Sequence, residues 1–176
     1  VLIAVSLSAS GTVASGGEEV RLCNALGECN LAAYVLQVDR KRTLGNPPRE
    51  MIADGVYYLI TIKITSYEPN PTLNPGDLSG VVVDESGKEY PQFREGEREV
   101  KTALGEDPFV VQVSPTGGSY RRVLVFALPA GIQNPTLIVR EGGWMDRMLQ
   151  LFIIGEEDSL FHPTTRFPLN VPERRL

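Results

Sequence analysis

Val56–Ser66, VYYLITIKITS, decides the reading of this chain, because its side chains alternate as those of a β-strand do. Tyr58, Ile60, Ile62 and Ile64 fall on one face, and Tyr57, Leu59, Thr61 and Lys63 on the other. That is the period-two pattern of a strand with one face in a core and the other partly wet. The stretch therefore reads as a central strand, and its neighbours should be further strands of the same sheet.

Punctuation on both sides supports this. Thirteen prolines and seventeen glycines are spread over 176 residues without a repeat period, dividing the chain into short segments as an all-β protein requires. A chain of this length, 42% apolar and 22% charged, can bury one sizeable core and is too short for two ordinary domains. The formal charge of −5 argues against a nucleic-acid partner, which demands a clustered positive surface.

Upstream of the central strand, Glu18–Cys23 and Cys29–Asp39 read as two strands joined by Asn24–Glu28, a loop with the polar and glycine content of a hairpin connection. Pairing would set Cys23 and Cys29 at its mouth. Facing positions of an antiparallel pair lie about 4.5–5.5 Å apart, which suits a disulfide. Two buried free thiols are the other reading; a zinc site would need more ligands than two thiolates, and the only histidine, His162, is distant. Arg40–Asp54, with its basic run and its Gly-Asn-Pro-Pro, is expected to be a solvated crossover loop rather than a binding patch.

Downstream, Glu68–Asp77 (EPNPTLNPGD) holds three prolines and must be an extended loop. Leu78–Asp84 and Lys88–Gln92 then read as a hairpin that turns through Asp84-Glu85-Ser86-Gly87, where Asp opens the turn and Gly supplies a positive φ. The charged run Arg94–Lys101 reads as a solvated loop or a short helical turn. Phe109–Val113, Arg121–Leu128, Pro135–Arg140 and Met148–Ile154 are the remaining strands. The expected fold is thus all-β, a sandwich of about eight antiparallel strands.

The stretches Gly80–Tyr90 and Tyr120–Pro129 carry a resemblance to a known family. A long strand of the YYLITIKITS kind, a VVDESGKEY hairpin and an RRVLVFALP strand ahead of PTLIVR together resemble a bacterial immunoglobulin-like family of unknown function. Its members are commonly extracytoplasmic, often behind a lipoprotein signal or a single membrane helix. The family travels under the misleading label telomeric repeat-binding factor, and its fold is similar to that of the mycobacterial secreted antigen of the same class. The resemblance spans roughly Glu18–Arg140. It implies an immunoglobulin-like β-sandwich at a cell-envelope address, membrane-anchored, periplasmic or extracellular, and carries no catalytic or ligand residues with it. The Cys23/Cys29 pair and the proline loop depart from the family pattern.

Two domain segments follow. Residues 1–17 begin with the apolar VLIAV and continue into the small, flexible SLSASGTVASGG, which reads as a signal or membrane-anchor remnant with a linker, or as a first or donated strand. Residues 18–176 form the sandwich with a C-terminal extension.

No chemistry stands out. A catalytic triad needs a histidine placed beside a nucleophile, but His162 precedes a proline and no G-x-S-x-G accompanies it. Phosphate loops and haem-attachment motifs are missing. Glu156, Glu157 and Asp158 lack the alternating spacing of a calcium loop, and a turn cap explains them. No enzyme activity and no cofactor are therefore expected. The candidates for partner contact are Trp144, Met145 and Met148, a large aromatic beside adaptable thioethers, for which an end plug of the sandwich is the alternative reading. The function expected is a non-enzymatic accessory or scaffolding subunit of a membrane or envelope complex, with protein partners and membrane contact through the N-terminal segment. A secreted ligand- or glycan-binding module using Glu68–Asp77, or a filament or adhesin subunit, is the alternative.

Overall fold

The computed structural model describes residues 19–22, 29–68, 78–104, 112–114, 117–141 and 165–169. Nine strands and one helix follow in chain order among them: β1 (Val20–Leu22), β2 (Leu31–Leu44), β3 (Met51–Ser66), β4 (Leu78–Val83), β5 (Glu89–Pro91), α1 (Arg94–Leu104), β6 (Gln112–Ser114), β7 (Gly117–Leu128), β8 (Thr136–Glu141) and β9 (Thr165–Pro168). One sheet has the order β1-β2-β3-β7-β6 and the other β5-β4-β8-β9. Every pairing is antiparallel. With β2 to β9 taken as strands A, B, C, C′, D, E, F and G, the sheets are A-B-E-D and C′-C-F-G, the immunoglobulin-like arrangement, and β1 is an extra strand beside A.

The strand that opened the sequence reading is central. β3 pairs with β2 on one side and, from Val56↔Leu128 to Ser66↔Gly118, with β7 on the other. Tyr58, Ile60, Ile62 and Ile64 are buried between the sheets, with Leu124 and Phe126 of β7 beside them and Val82, Leu137, Val139 and Phe167 facing them from the second sheet. Fully burying one such aliphatic or aromatic side chain stabilises the fold by about 1.5–3 kcal/mol.

The opposite face of β3 is drier than its sequence suggests. Tyr57 and Leu59 join Leu44, Val100 and Val125 in a second, smaller core, with Met51, Ala53, Phe93 and Val123 partly buried against it. Helix α1 covers this patch, so Arg94–Leu104 is an 11-residue helix rather than a loop or a single turn. Apart from Gly96, Val100 and Thr102 its residues are good helix formers, and Glu95 and Glu97 in the first turn complement the helix dipole. Only Val100 among Arg94–Lys101 is apolar, so the helical period shows only when Phe93 and Leu104, just outside that run, are counted with it. What anchors it lies just upstream: the Phe93 ring stacks on Tyr57, centroids 5.6 Å apart and planes 3° from parallel, and the Phe93 amide donates to the Val125 carbonyl at 2.7 Å.

Two further expectations are corrected. Most of Arg40–Asp54 is strand: β2 runs to Leu44, β3 starts at Met51, and only 45–50 turn. The Gly-Asn-Pro-Pro signal marks a hairpin tip, where Gly45 has φ +80°, Pro47-Pro48 is cis and the Arg49 amide donates to the Asn46 carbonyl at 2.8 Å. Thr165–Pro168, to which no strand was assigned, is edge strand β9, sending Phe167 into the core, with Leu169 buried just beyond it. Its flanking prolines hide the alternation, which an edge strand tolerates. The strand expected at Met148–Ile154 lies outside the described residues.

Candidate interaction surface

The long β2–β3 hairpin outruns the sheet that supports it. The β3–β7 ladder begins at Val56, so none of Met51–Gly55 pairs with β7, and Met51 and Ile52 pair with Leu44 and Thr43 of β2. At about 3.3 Å per residue, the ribbon extends on the order of 15 Å past the last β7 pair. Gly55 makes the departure feasible, because a Cβ there would overlap the Leu128 carbonyl oxygen and come within 2.7 Å of the Ala130 nitrogen.

One side of this ribbon is held down. Leu44 is buried, and Met51 and Ala53 pack half-buried in the patch under α1. The other side is open: Thr43, Ile52 and Asp54 are exposed, and Ile52 is 74% accessible, the most exposed large hydrophobic residue of the described chain. Four cations surround it in sequence, Arg40, Lys41, Arg42 and Arg49, all exposed. Against Asp39, Glu50 and Asp54 they leave residues 39–54 with one excess positive charge on a chain of formal charge −5. The Arg40 guanidinium sits over the Tyr58 ring, 5.0 Å from its centroid. Burial pushes the Tyr58 hydroxyl above its ordinary range, and Arg40 opposes that shift.

The other end of the same strands is tied by polar contacts. The Tyr67 hydroxyl donates to Glu19, whose acceptance of that bond is the main reason the phenol is raised, and the Arg21 guanidinium lies 3.9 Å from the Tyr67 ring centroid. Arg21 Nη1 donates to the Cys29 carbonyl at 3.3 Å, and Asn30 Nδ2 donates to Glu68 Oε1 at 2.7 Å. These bonds fasten β1 and the start of β2 to the end of β3.

Of the residues singled out from sequence, Cys29 is disulfide-bonded, and Cys23 lies outside the described residues. Trp144, Met145 and Met148 also lie outside them, as do His162, Glu156–Asp158, residues 1–17 and loop residues 69–77. Among the described residues no group of three or more His, Cys, Asp or Glu is placed to hold a metal ion. No described helix is long and apolar enough to cross a membrane. Ile52 escaped the sequence reading because MIAD looked like the end of a loop; the alternation of Met51, Ala53 and Gly55 against Ile52 and Asp54 was the available signal.

No protein-family model matches the chain, and no curated protein does. Three solved structures are similar to it. The secreted protein MPT63 of Mycobacterium tuberculosis matches at 13% identity and a TM-score of 0.48, over 77% of this chain and 93% of that one. An uncharacterised β-sandwich protein of Clostridium difficile 630 matches at 10% identity and a TM-score of 0.46, over 91% of this chain and 96% of its own. A conserved hypothetical protein of Bacillus anthracis matches at 14% identity and a TM-score of 0.44, over 69% and 89%. The order of strands in the two sheets is what makes this chain an all-β, immunoglobulin-like sandwich.

Proposed function

We propose that this protein is a non-enzymatic accessory or scaffolding subunit of a membrane or cell-envelope complex, and that its β2–β3 ribbon is the part that meets a protein partner. The observation that carries the reading is Ile52, an aliphatic side chain left 74% exposed on a ribbon that is itself well anchored. A large apolar residue raised on a projecting, rigidly based hairpin and rimmed by Arg and Lys has the make-up of an interface anchor. An envelope address is supported by the disulfide at Cys29, since disulfides persist in oxidising compartments, and by the resemblance to the extracytoplasmic immunoglobulin-like family. The apolar composition of Val1–Val5 and the small Ser- and Gly-rich composition after it suit a tether.

The test is purification of the native protein from membranes in mild detergent, with quantitative mass spectrometry, for the wild type and for Ile52→Ser. A partner recovered at fixed ratio with the wild type and lost with the variant, at unchanged melting temperature, is the expected result. Recovery of the wild type alone, in the soluble envelope fraction, would overturn the reading.

A further inference from the structure

β1 covers only Leu31–Ala33 of β2. From Tyr34 to Leu44 the outer edge of β2 has no ladder partner among the described residues. Along such an edge the backbone N–H and C=O groups of alternate residues point outward, a template for another strand. Leu36, Gln37 and Arg40–Thr43 are exposed there, so the side chains leave the edge open.

Two register shifts, between Val35 and Gln37 and between Lys41 and Thr43, bound a regular stretch. Within it Gln37, Val38, Asp39, Arg40 and Lys41 pair without a break against Thr61, Ile60, Leu59, Tyr58 and Tyr57. This short template is backed by the central strand of the sheet, so accepting a further strand requires no rearrangement of the fold. Charge then selects the occupant. A second copy pairing antiparallel about Asp39, the centre of the stretch, would set Asp39 opposite Asp39, and about Lys41 it would set Lys41 opposite Lys41 and Arg40 opposite Arg42; like charges directly opposed destabilise a pair. Arg40 and Lys41, being successive, present cations on both sides of the ribbon. An incoming strand with acidic residues on the Arg40 side meets that cation alone, and on the other side it meets Lys41 beside Asp39.

We propose that the β2 edge over Gln37–Lys41 is a strand-addition site for an extended acidic segment of a partner protein. The inference rests on the accessory-subunit reading and specifies how that subunit grips its partner. The irregularities and charges that flank the template are the devices by which edge strands refuse indiscriminate pairing, and here they leave a short window open to a strand of complementary charge.

The probes are two labelled nine-residue peptides, one alternating Glu with Val and the other Lys with Val, titrated against the full chain by fluorescence anisotropy, with hydrogen exchange of the backbone amides. The Glu peptide is expected to bind roughly tenfold or more tighter than the Lys peptide, from a few cross-strand charge pairs switched in sign. It should protect amides within 37–41, and the double variant Arg40→Glu, Lys41→Glu should reverse the preference while melting as the wild type does. Equal affinity for the two peptides, protection elsewhere, or protection in the free chain of those amides of 37–41 that point away from β3 would overturn the proposal, the last by showing that a segment of this chain or a second copy holds the edge. If a partner co-purifies at fixed ratio but the peptides fail, the edge falls and the accessory reading stands. If the peptides behave as expected but no partner is recovered, the edge site stands and the accessory reading falls.

Discussion

Arg122 of β7 and Glu97 of α1 pair at 3.4 Å with side chains only 5% and 15% exposed. Arg122 stands in the alternation of Tyr120, Leu124 and Phe126, the buried side of its strand. A guanidinium at that position needs carboxylate compensation, which α1 supplies, while Arg94 reaches the same Glu97 oxygen at 3.5 Å. The pair therefore couples the helix to the sheet.

Removing the carboxylate should loosen that coupling. Glu97→Ala is expected to destabilise the protein by about 2–4 kcal/mol in urea unfolding, whereas Glu97→Leu combined with Arg122→Met should recover most of the loss, because exchanging a buried ion pair for apolar packing is often close to neutral. A double-mutant cycle with no coupling between the two sites would show that the contact contributes nothing.

Acid should act on the β4–β5 turn. Asp84 accepts from the Ser86 hydroxyl at 2.6 Å, the Ser86 amide at 2.9 Å, the Lys88 amide at 3.0 Å and the Tyr90 hydroxyl at 3.0 Å. The Ser86 hydroxyl foremost, then the other donors, hold this carboxyl below its ordinary range. A group whose pKa is lower folded than unfolded contributes stability above its unfolded value and loses it as pH falls through the folded one. The melting temperature of the wild type should thus exceed that of Asp84→Asn at neutral pH, and the gap should close below about pH 4. A gap that persisted unchanged to pH 2 would assign the difference to something other than ionisation.

Two glycines should fail for different reasons. Gly87 has φ +84° and open space around it, so Gly87→Ala is expected to cost about 1 kcal/mol, from backbone strain alone. At Gly55 a methyl group would run into the Leu128 carbonyl and the Pro129–Ala130 backbone, so Gly55→Ala should cost about 2–3 kcal/mol. Equal losses in chemical denaturation would contradict the close approach of the two strands.

Ile52 and Ile60 lie on one strand, an even number of residues apart, and differ only in what covers them: Ile52 is 74% exposed and Ile60 fully buried. Ile60→Ala is expected to cost about 2–5 kcal/mol, and Ile52→Ser to stay within about 0.5 kcal/mol of the wild type. A large loss for Ile52→Ser, measured by thermal or urea unfolding, would remove it from the interaction surface and place it in the fold.

The sequence by itself determined the strands whose inner face is apolar at every second residue. Val56–Ser66 and Arg121–Leu128 announce themselves because each carries a run of alternating apolar residues, and the Asp84–Gly87 turn because Asp and Gly have local reasons to be there. Cysteine number and spacing left a bridge and free thiols both open; Cys29 is disulfide-bonded, and Cys23 lies outside the described residues. Only the tertiary structure decided the rest. Helix α1 shows its period only when Phe93, Val100 and Leu104 are taken together, and the strand residues it packs against, Tyr57 and Val125, come from elsewhere in the chain. The ribbon tip resembles a loop because its outer face is wet, and its strands exist through cross-strand bonds that no single segment encodes. Among the described residues, how much of the outer edge of β2 is left without a ladder partner depends on where β1 stops pairing with it, and no local pattern within β2 marks that point.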